Sequence, residues 1–375
     1  MVDIEPRPGQ SGGALSTAPA PANSPLPPLF LHIGRGKSGS STIQSLAHDH
    51  VQFMTSMGFA CPTTVHGMVN HARLAAALHA PHEDPETIQK FRLDVRKNKK
   101  RKLFISGETL FSLTRDSIQR LKRHAGAREI RILCYVRDYP GWIQSMYAQR
   151  TKAGSNVGDF DAYYSTARRR VSALPRIERW ADSFGWEAMH VRPLLPEALT
   201  GGSLIADVLS VLGVETRPDG IETHNVAPHW VTLELLRALA AAARASPVGV
   251  LDQRSVKVAR TLFELCTTDV KPRRAQYLTR EQWLDLAELY RSDMNVLGRH
   301  QNMAFAVPPE DPPERPFLPD ISVVPDRTKA DILVKLNEPR IRSRFQAPVL
   351  ELIEQILTTM PTGLAEQSRP RARPA

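Results

Sequence analysis

Short apolar runs alternate along this chain with longer stretches in which apolar residues recur every three or four positions. The first run, Leu29-Phe30-Leu31-His32-Ile33-Gly34, ends in glycine and predicts a buried strand. A glycine- and serine-rich turn follows. From residue 42 to about 57, Ile43, Leu46, Val51 and Met54 recur at helical spacing until Gly58 stops the pattern. The alternation then repeats, with a strand over 102–106, a helix over 114–124, a strand over 129–136 and a helix over 140–153 closed by Gly154. Strands separated by helices predict a parallel, helix-covered sheet. Further on, 160–184 reads as largely helical, 188–191 as a strand and 205–212 as a helix. Beyond Trp230 the pattern is helical, over 231–243, 257–266 and 280–297. The expected fold class is therefore α/β, a parallel β-sheet flanked by helices, with a mostly helical C-terminal half.

The two ends read differently. Residues 1–28 are rich in Pro, Ala, Gly and Ser, and their few large apolar side chains cannot offset the entropy of ordering, so a disordered tail is expected. Seven prolines punctuate 307–325 and make a poor core. A boundary is placed near 300, giving one main domain over 29–300 and a C-terminal extension over 301–375. In that extension a last apolar helix, 349–357, is expected to dock back on the domain, and a loose Pro- and Arg-rich end follows.

Composition narrows the class of protein. At 375 residues and 42% hydrophobic content the chain can bury one large α/β core. No apolar run approaches the length of a membrane span, and no basic start followed by an apolar stretch marks a secretory leader, so a soluble cytoplasmic protein is expected. Cys61, Cys134 and Cys266 are far apart, lack metal-ligand spacing and are read as buried reduced thiols. The net charge of +10 favours anionic partners, among which charge alone does not choose. The densest basic run is Arg96, Lys97, Lys99, Lys100, Arg101 and Lys102. It reads either as a solvated helix end or as a rim that binds the substrate.

The candidate chemistry begins at His32-Ile33-Gly34-Arg35-Gly36-Lys37-Ser38-Gly39-Ser40-Ser41-Thr42-Ile43-Gln44, between the first strand and the first helix. Small residues let backbone N–H groups turn inward, the helix start near Ser41 supplies positive dipole, and Lys37 adds a full charge, so the segment is an anion cradle. Hydroxyls of Ser38, Ser40, Ser41 and Thr42 can donate to phosphate or sulfate oxygens. An ATP or GTP loop of the form G-x-x-x-x-G-K-S needs glycine where Leu31 stands, which weakens the nucleotide-triphosphatase reading.

On these residues the chain resembles the sulfotransferase family that uses 3′-phosphoadenosine 5′-phosphosulfate (PAPS), particularly its bacterial members, with serine in place of threonine at 38, 40 and 41. The resemblance implies the P-loop nucleoside-triphosphatase-like sulfotransferase fold. It implies binding of the donor's 5′-phosphosulfate by the loop, Arg35, Gly36, Lys37, Ser38, Gly39, Ser40, Ser41 and Thr42. A second segment, Cys134-Tyr135-Val136-Arg137-Asp138-Tyr139-Pro140-Gly141-Trp142-Ile143-Gln144-Ser145, is similar to the family's 3′-phosphate motif, in which an arginine ends a strand and a serine follows eight residues later. Arg137 and Ser145 have that spacing. Physically, Arg137 leaves the carboxyl end of a strand, where ligands of α/β sheets sit, and its planar fork suits a phosphate. Asn70-His71, Ile105-Ser106-Gly107-Glu108, Trp180 to Gly185 with Val191-Arg192-Pro193, and the helix around Tyr290 also look like family segments. The similarity covers roughly 29–300 and thins after 215. The R-K-G segment with which eukaryotic members complete the 3′-phosphate site is absent, and Arg168 to Arg170 or Lys271 to Arg274 are the candidates to substitute for it.

The implied activity is transfer of a sulfuryl group from PAPS to a hydroxyl or amine of an acceptor, of which an acidic glycan or glycolipid would suit a basic mouth. A sulfate ester carries less charge than a phosphate ester, so side-chain cations can suffice without a metal, and no metal motif is present. Lys37 is assigned to charge on the departing phosphate. For the base that takes the acceptor's proton, Glu108 stands first, since it follows a strand and should emerge at the ligand-bearing edge, and His71 stands second. His32, within the first strand, reads as structural. Two rivals remain. One is a P-loop kinase using ATP and magnesium, with Asp138 as its metal-holding carboxylate, and the other is a non-catalytic polyanion- or nucleic-acid-binding protein.

Overall fold

A computed structural model of the chain describes residues 26–62, 71–79, 83–126, 128–156, 158–218, 228–270, 274–302, 305 and 324–359. Nearly all of the tail expected over 1–28 and most of the proline-rich stretch lie outside the described residues. In chain order the elements are β1 (Leu29–His32), α1 (Ser40–His48), α2 (Val51–Ser56), β2 (Phe59–Ala60), α3 (Ala72–His79), α4 (Pro85–Lys97), β3 (Lys102–Ser106), α5 (Arg115–Ala125), β4 (Ile130–Val136), α6 (Tyr139–Lys152), α7 (Phe160–Ala167), α8 (Leu174–Phe184), β5 (Met189–Pro193), α9 (Leu204–Leu212), α10 (Trp230–Arg244), α11 (Gln253–Cys266), α12 (Arg280–Gln301), α13 (Asp326–Leu336), α14 (Pro339–Arg342) and α15 (Ala347–Thr359).

The five strands form one parallel sheet in the order β2-β3-β1-β4-β5. The fold is thus α/β, a parallel sheet flanked by helices. Because β1 is central, the chain winds outward to one side through β3 and β2 and to the other through β4 and β5. The crevice where the winding reverses lies beside the carboxyl end of β1, the place where doubly wound sheets hold their ligands.

Residues of β1, β3 and β4 are buried on both faces, which is why these strands read as nearly continuous apolar runs. Leu29 and Leu31 of β1, Leu103 and Ile105 of β3, and Ile132 and Cys134 of β4 enter one core with helices α3 to α8 and α12. Phe30, Phe104, Leu133 and Tyr135 point the other way, into a smaller core with α1, α2 and α9. On this second side the buried Asp207 of α9 accepts from the Tyr135 hydroxyl at 2.7 Å and from Arg192 of β5 at 2.7 Å. The Thr200 hydroxyl donates to it at 3.0 Å.

The helix expected over 42–57 is two helices, α1 and α2, broken at Asp49 and His50, across which the apolar spacing continues. A third core joins α10 and α11 to α13 and α15 through residues such as Leu236, Phe263, Ile332 and Ile353. The C-terminal helices therefore pack on α10, the same helix whose start borders the crevice described next.

Candidate functional site

The segment after β1 is shaped by its own hydrogen bonds. Ser38 N–H and the Ser40 hydroxyl both donate to the Arg35 carbonyl at 3.1 Å. Trp142 Nε1–H of α6 donates to the Gly36 carbonyl at 2.9 Å, and Arg137 Nη1 to the Lys37 carbonyl at 3.4 Å. Three consecutive carbonyls are thereby engaged by donors, which offsets the negative charge an anion would otherwise meet. Lys37 has φ 66° and Gly39 φ 78°, both in the left-handed region. That conformation costs a lysine on the order of 1 kcal/mol or more and persists only where surrounding contacts impose it. Gly39 then leads into α1, whose first-turn N–H groups and dipole carry positive charge.

Underneath, His32 Nδ1 lies 2.7 Å from the Ser106 hydroxyl. Burial pushes the His32 imidazole down to about 3, so the ring is neutral. Gly34 passes between that ring and Ser40. A Cβ at Gly34 would fall 2.3 Å from Ser40 Oγ and 2.6 Å from His32 Cε1. Gly34→Ala is expected to destabilise the protein by about 1–3 kcal/mol through this overlap. It should also weaken anion binding at the loop, because the displaced atoms are the loop's base. Thermal unfolding and calorimetry on the same sample check both, and an unchanged Tm would contradict the close packing.

The loop opens into a cleft of about 460 Å³, within the range of small-ligand sites. Of the residues singled out in the sequence, Lys37, Gly39, Ser40, Ser41, Thr42, Glu108, Arg137 and Ser145 all line it. Lys152 and Arg274 add two further cations to its walls. Burial lowers the Lys37 ammonium, the positive charges of Lys152 and Arg137 lower it further, and Glu108 opposes them. Arg137 is lowered by burial and by Arg274, with Asp138 opposing. Glu108 is raised by burial and pulled back by Lys37. Its carboxylate lies against the loop, since a Cβ at Gly36 would stand 3.4 Å from Oε2. Four cations and one carboxylate thus line the cleft, an arrangement suited to an anion bearing several charges.

Four of the residues singled out do not line the cleft. His71 is fully buried, with Nε2 donating to the Pro62 carbonyl at 3.0 Å and Nδ1 accepting from Ser106 N–H at 3.1 Å. Both ring nitrogens are committed to backbone, which corrects its assignment as an alternative base. Arg35 is 5% exposed, its Cζ 3.5 Å above the Trp142 ring, so its assignment to the donor loop's contacts is corrected as well. Gly36 contributes its carbonyl to Trp142, and Ser38 is buried with its hydroxyl unpartnered.

The basic run belongs elsewhere too. Arg96, Lys97, Lys99, Lys100 and Arg101 are exposed at the end of α4 and the start of β3, whereas the cleft lies where β3 ends. A strand's length, about 16 Å, separates them, so the run is not the cleft's rim. Arg168 pairs with Asp285 at 2.8 Å, while Arg274 lines the cleft. Asp138 caps α6 by accepting from Gly141 N–H at 2.6 Å. Among the described residues no group of three or more His, Cys, Asp or Glu side chains could hold a metal ion.

Sequence reasoning missed Lys152, Gln149 and Gln144, although one signal was present. Gly141, Ser145, Ala148 and Lys152 recur at helical spacing, so whichever face of α6 carries Ser145 carries Lys152 as well. Trp230, Leu233 and Tyr277, which also line the cleft, come from segments more than eighty residues away and carry no such signal.

No family model matches the chain. A protein of Archaeoglobus fulgidus described as uncharacterized is 28% identical to it over 145 residues, covering 36% of this chain. The chain thus spans little more than a third, 37%, of the curated relative it matches. Among solved structures, a sulfotransferase from Alicyclobacillus acidocaldarius is similar over 74% of this chain and 96% of its own, with a TM-score of 0.41 and 13% identity. A likeness that distant carries no argument about activity, which is left to the cleft's own residues. No helix among the described residues is long and apolar enough to cross a membrane.

Proposed function

We propose that the protein is a sulfotransferase that uses PAPS as donor and a hydroxyl or amine as acceptor. The observation that carries this reading is the convergence in one cleft of two motifs a hundred residues apart, Lys37 to Thr42 and Arg137 with Ser145. The cleft suits this donor in charge and in hydrogen-bond donors. It holds four cations, side-chain donors from Ser41, Thr42, Ser145 and Gln149, and the start of α1, which together match a ligand with phosphates at two positions.

In this reading Lys37 and the loop hold the 5′-phosphosulfate, and Arg137 with Ser145 holds the 3′-phosphate, with Arg274 and Lys152 nearby. The donor supplies an activated sulfuryl group. The acceptor oxygen or nitrogen forms its bond to sulfur as the bond from sulfur to the bridging oxygen breaks. The acceptor's proton passes to the Glu108 carboxylate, and adenosine 3′,5′-bisphosphate leaves with its new charge facing Lys37. A kinase reading draws less support, since Asp138 is occupied as a helix cap.

Calorimetry with adenosine 3′,5′-bisphosphate in the absence of metal tests the reading. Micromolar binding by the wild type, weakened by about tenfold or more in Arg137→Ala, supports it. No binding to folded wild type sinks it.

Glu108 gives a pH signature. Burial raises its carboxyl, so the deprotonated base accumulates at higher pH than for an ordinary glutamate. The acid limb of kcat/KM is expected to lie above the usual carboxylate range and to vanish in Glu108→Gln. The linked effect on folding has the opposite sign. A carboxyl raised in the folded state favours folding most below its unfolded pKa, and that contribution fades as pH rises through the folded value. An acid limb that persists in Glu108→Gln would assign the base to another group.

A further inference from the structure

The loop after β1 carries two cations, and only Lys37 lines the cleft. Arg35 leaves on another side. Its guanidinium lies over the rings of Trp142 and Tyr139, at 3.5 and 5.5 Å, and its Nη2 donates to the Arg170 carbonyl at 3.5 Å. Its Nη1 is buried and has no acceptor.

Around that point stand three more arginines. Arg170 is exposed just after α7, while Arg176 and Arg179 are half-buried on α8. Arg176 Cζ lies 5.9 Å from the Phe111 ring centre, and Arg179 donates to the Leu113 carbonyl at 2.9 Å. Phe111 and Leu113 belong to the turn that begins with Glu108. The arginines therefore flank the segment that delivers Glu108 to the cleft, yet none of them lines the cleft itself.

Among the described residues, no ion pair joins Arg35, Arg170, Arg176 or Arg179 to a carboxylate. Two neighbouring arginines do not share that isolation: Arg115 pairs with Asp182 and Arg168 with Asp285. Burial lowers the Arg176 guanidinium, and Arg179 and Arg170 lower it further by repulsion. Burial takes Arg35 down to about 10, and Arg176 adds to that effect, while Tyr139, Cys134 and the buried Asp293 carboxylate oppose it. Like charges gathered with no direct ion pair among them are unfavourable in the free protein, and a bound anion relieves them.

We infer that Arg170, Arg176 and Arg179, backed by the buried Arg35, form a second anion subsite beside the Glu108 turn, which holds a carboxylate, sulfate or phosphate group of the acceptor. The inference rests on reading the cleft as a sulfuryl-donor site, and it narrows the acceptor to molecules that already carry negative charge. The anchored anion leaves the acceptor's hydroxyl or amine to reach Glu108.

The test is a titration of inorganic sulfate, at constant ionic strength, into protein saturated with adenosine 3′,5′-bisphosphate. Arginine side-chain Nε–H resonances report the binding. Saturable shifts are expected in the wild type, with binding about tenfold weaker in the double variant Arg170→Gln, Arg176→Gln. Bisphosphate affinity should be the same in both proteins. The subsite is overturned if sulfate does not saturate, or if the double variant binds it as well as the wild type does. Should the bisphosphate fail to bind wild type, the donor reading falls by itself. The sulfate titration, run on ligand-free protein, then still decides the subsite by the difference between the two proteins.

Discussion

Lys37→Ala is expected to bind adenosine 3′,5′-bisphosphate about tenfold to a hundredfold more weakly than the wild type, since a hydrogen bond to a charged group contributes roughly 1.5–3 kcal/mol. Turnover should fall further, by about 10²–10³-fold, because the ammonium faces charge that grows during transfer. Alanine is the informative replacement. Residue 37 has φ 66°, and alanine keeps the Cβ that makes this conformation costly, so the comparison isolates the ammonium. Glycine would relax the backbone at the same time and confuse the two effects. Calorimetry reads the first number and single-turnover kinetics the second. Equal affinity in the two proteins would remove Lys37 from the donor site.

The second large effect is on stability. Asp207→Ala is expected to cost about 3–5 kcal/mol, the cost of removing one partner from a buried ion pair. Its carboxylate is fully buried and accepts from Tyr135, Arg192 and Thr200, so it ties α9 to β4 and β5 in one place. Without it the Arg192 guanidinium is left largely buried and uncompensated. Tyr135→Phe removes a single hydroxyl from the same group and should cost about 1 kcal/mol. Denaturant unfolding of the pair gives the ratio. A loss in Asp207→Ala no greater than that in Tyr135→Phe would mean that Arg192 finds water or another partner.

The strands were legible where burial on both faces makes them nearly continuous apolar runs, as in Leu29 to Ile33 and Ile130 to Val136. β2 was not, because two residues, Phe59 and Ala60, make no pattern. α4 escaped for a different reason. Only Ile88, Phe91 and Val95 of its thirteen residues are buried, and most of the rest of the helix is polar. The break at Asp49 and His50 was invisible because the apolar spacing runs through it. In the site, contiguous residues could be read and dispersed ones could not. Lys37 to Thr42 and Arg137 with Ser145 are local in sequence, and each meets the cleft from one loop or one helix turn. Trp230 and Tyr277 reach it only through the packing of α10 and the segment before α12, which no local spacing encodes. His71 misled for the converse reason. A histidine just before a helix can pass for a base in sequence, but here it bridges two backbone segments.

The helices at 324–359 bear on how the protein could be shortened. They share a core with α10 and α11, and α10 begins with the Trp230 that lines the cleft. A chain ending near residue 300 would bare Leu236, Leu239 and Phe263 to water. Such a product should recruit chaperones and be cleared by proteases, even with every cleft residue still encoded. In a cell, a late frameshift would then register as lost abundance, with the specific activity of surviving molecules the last thing to change.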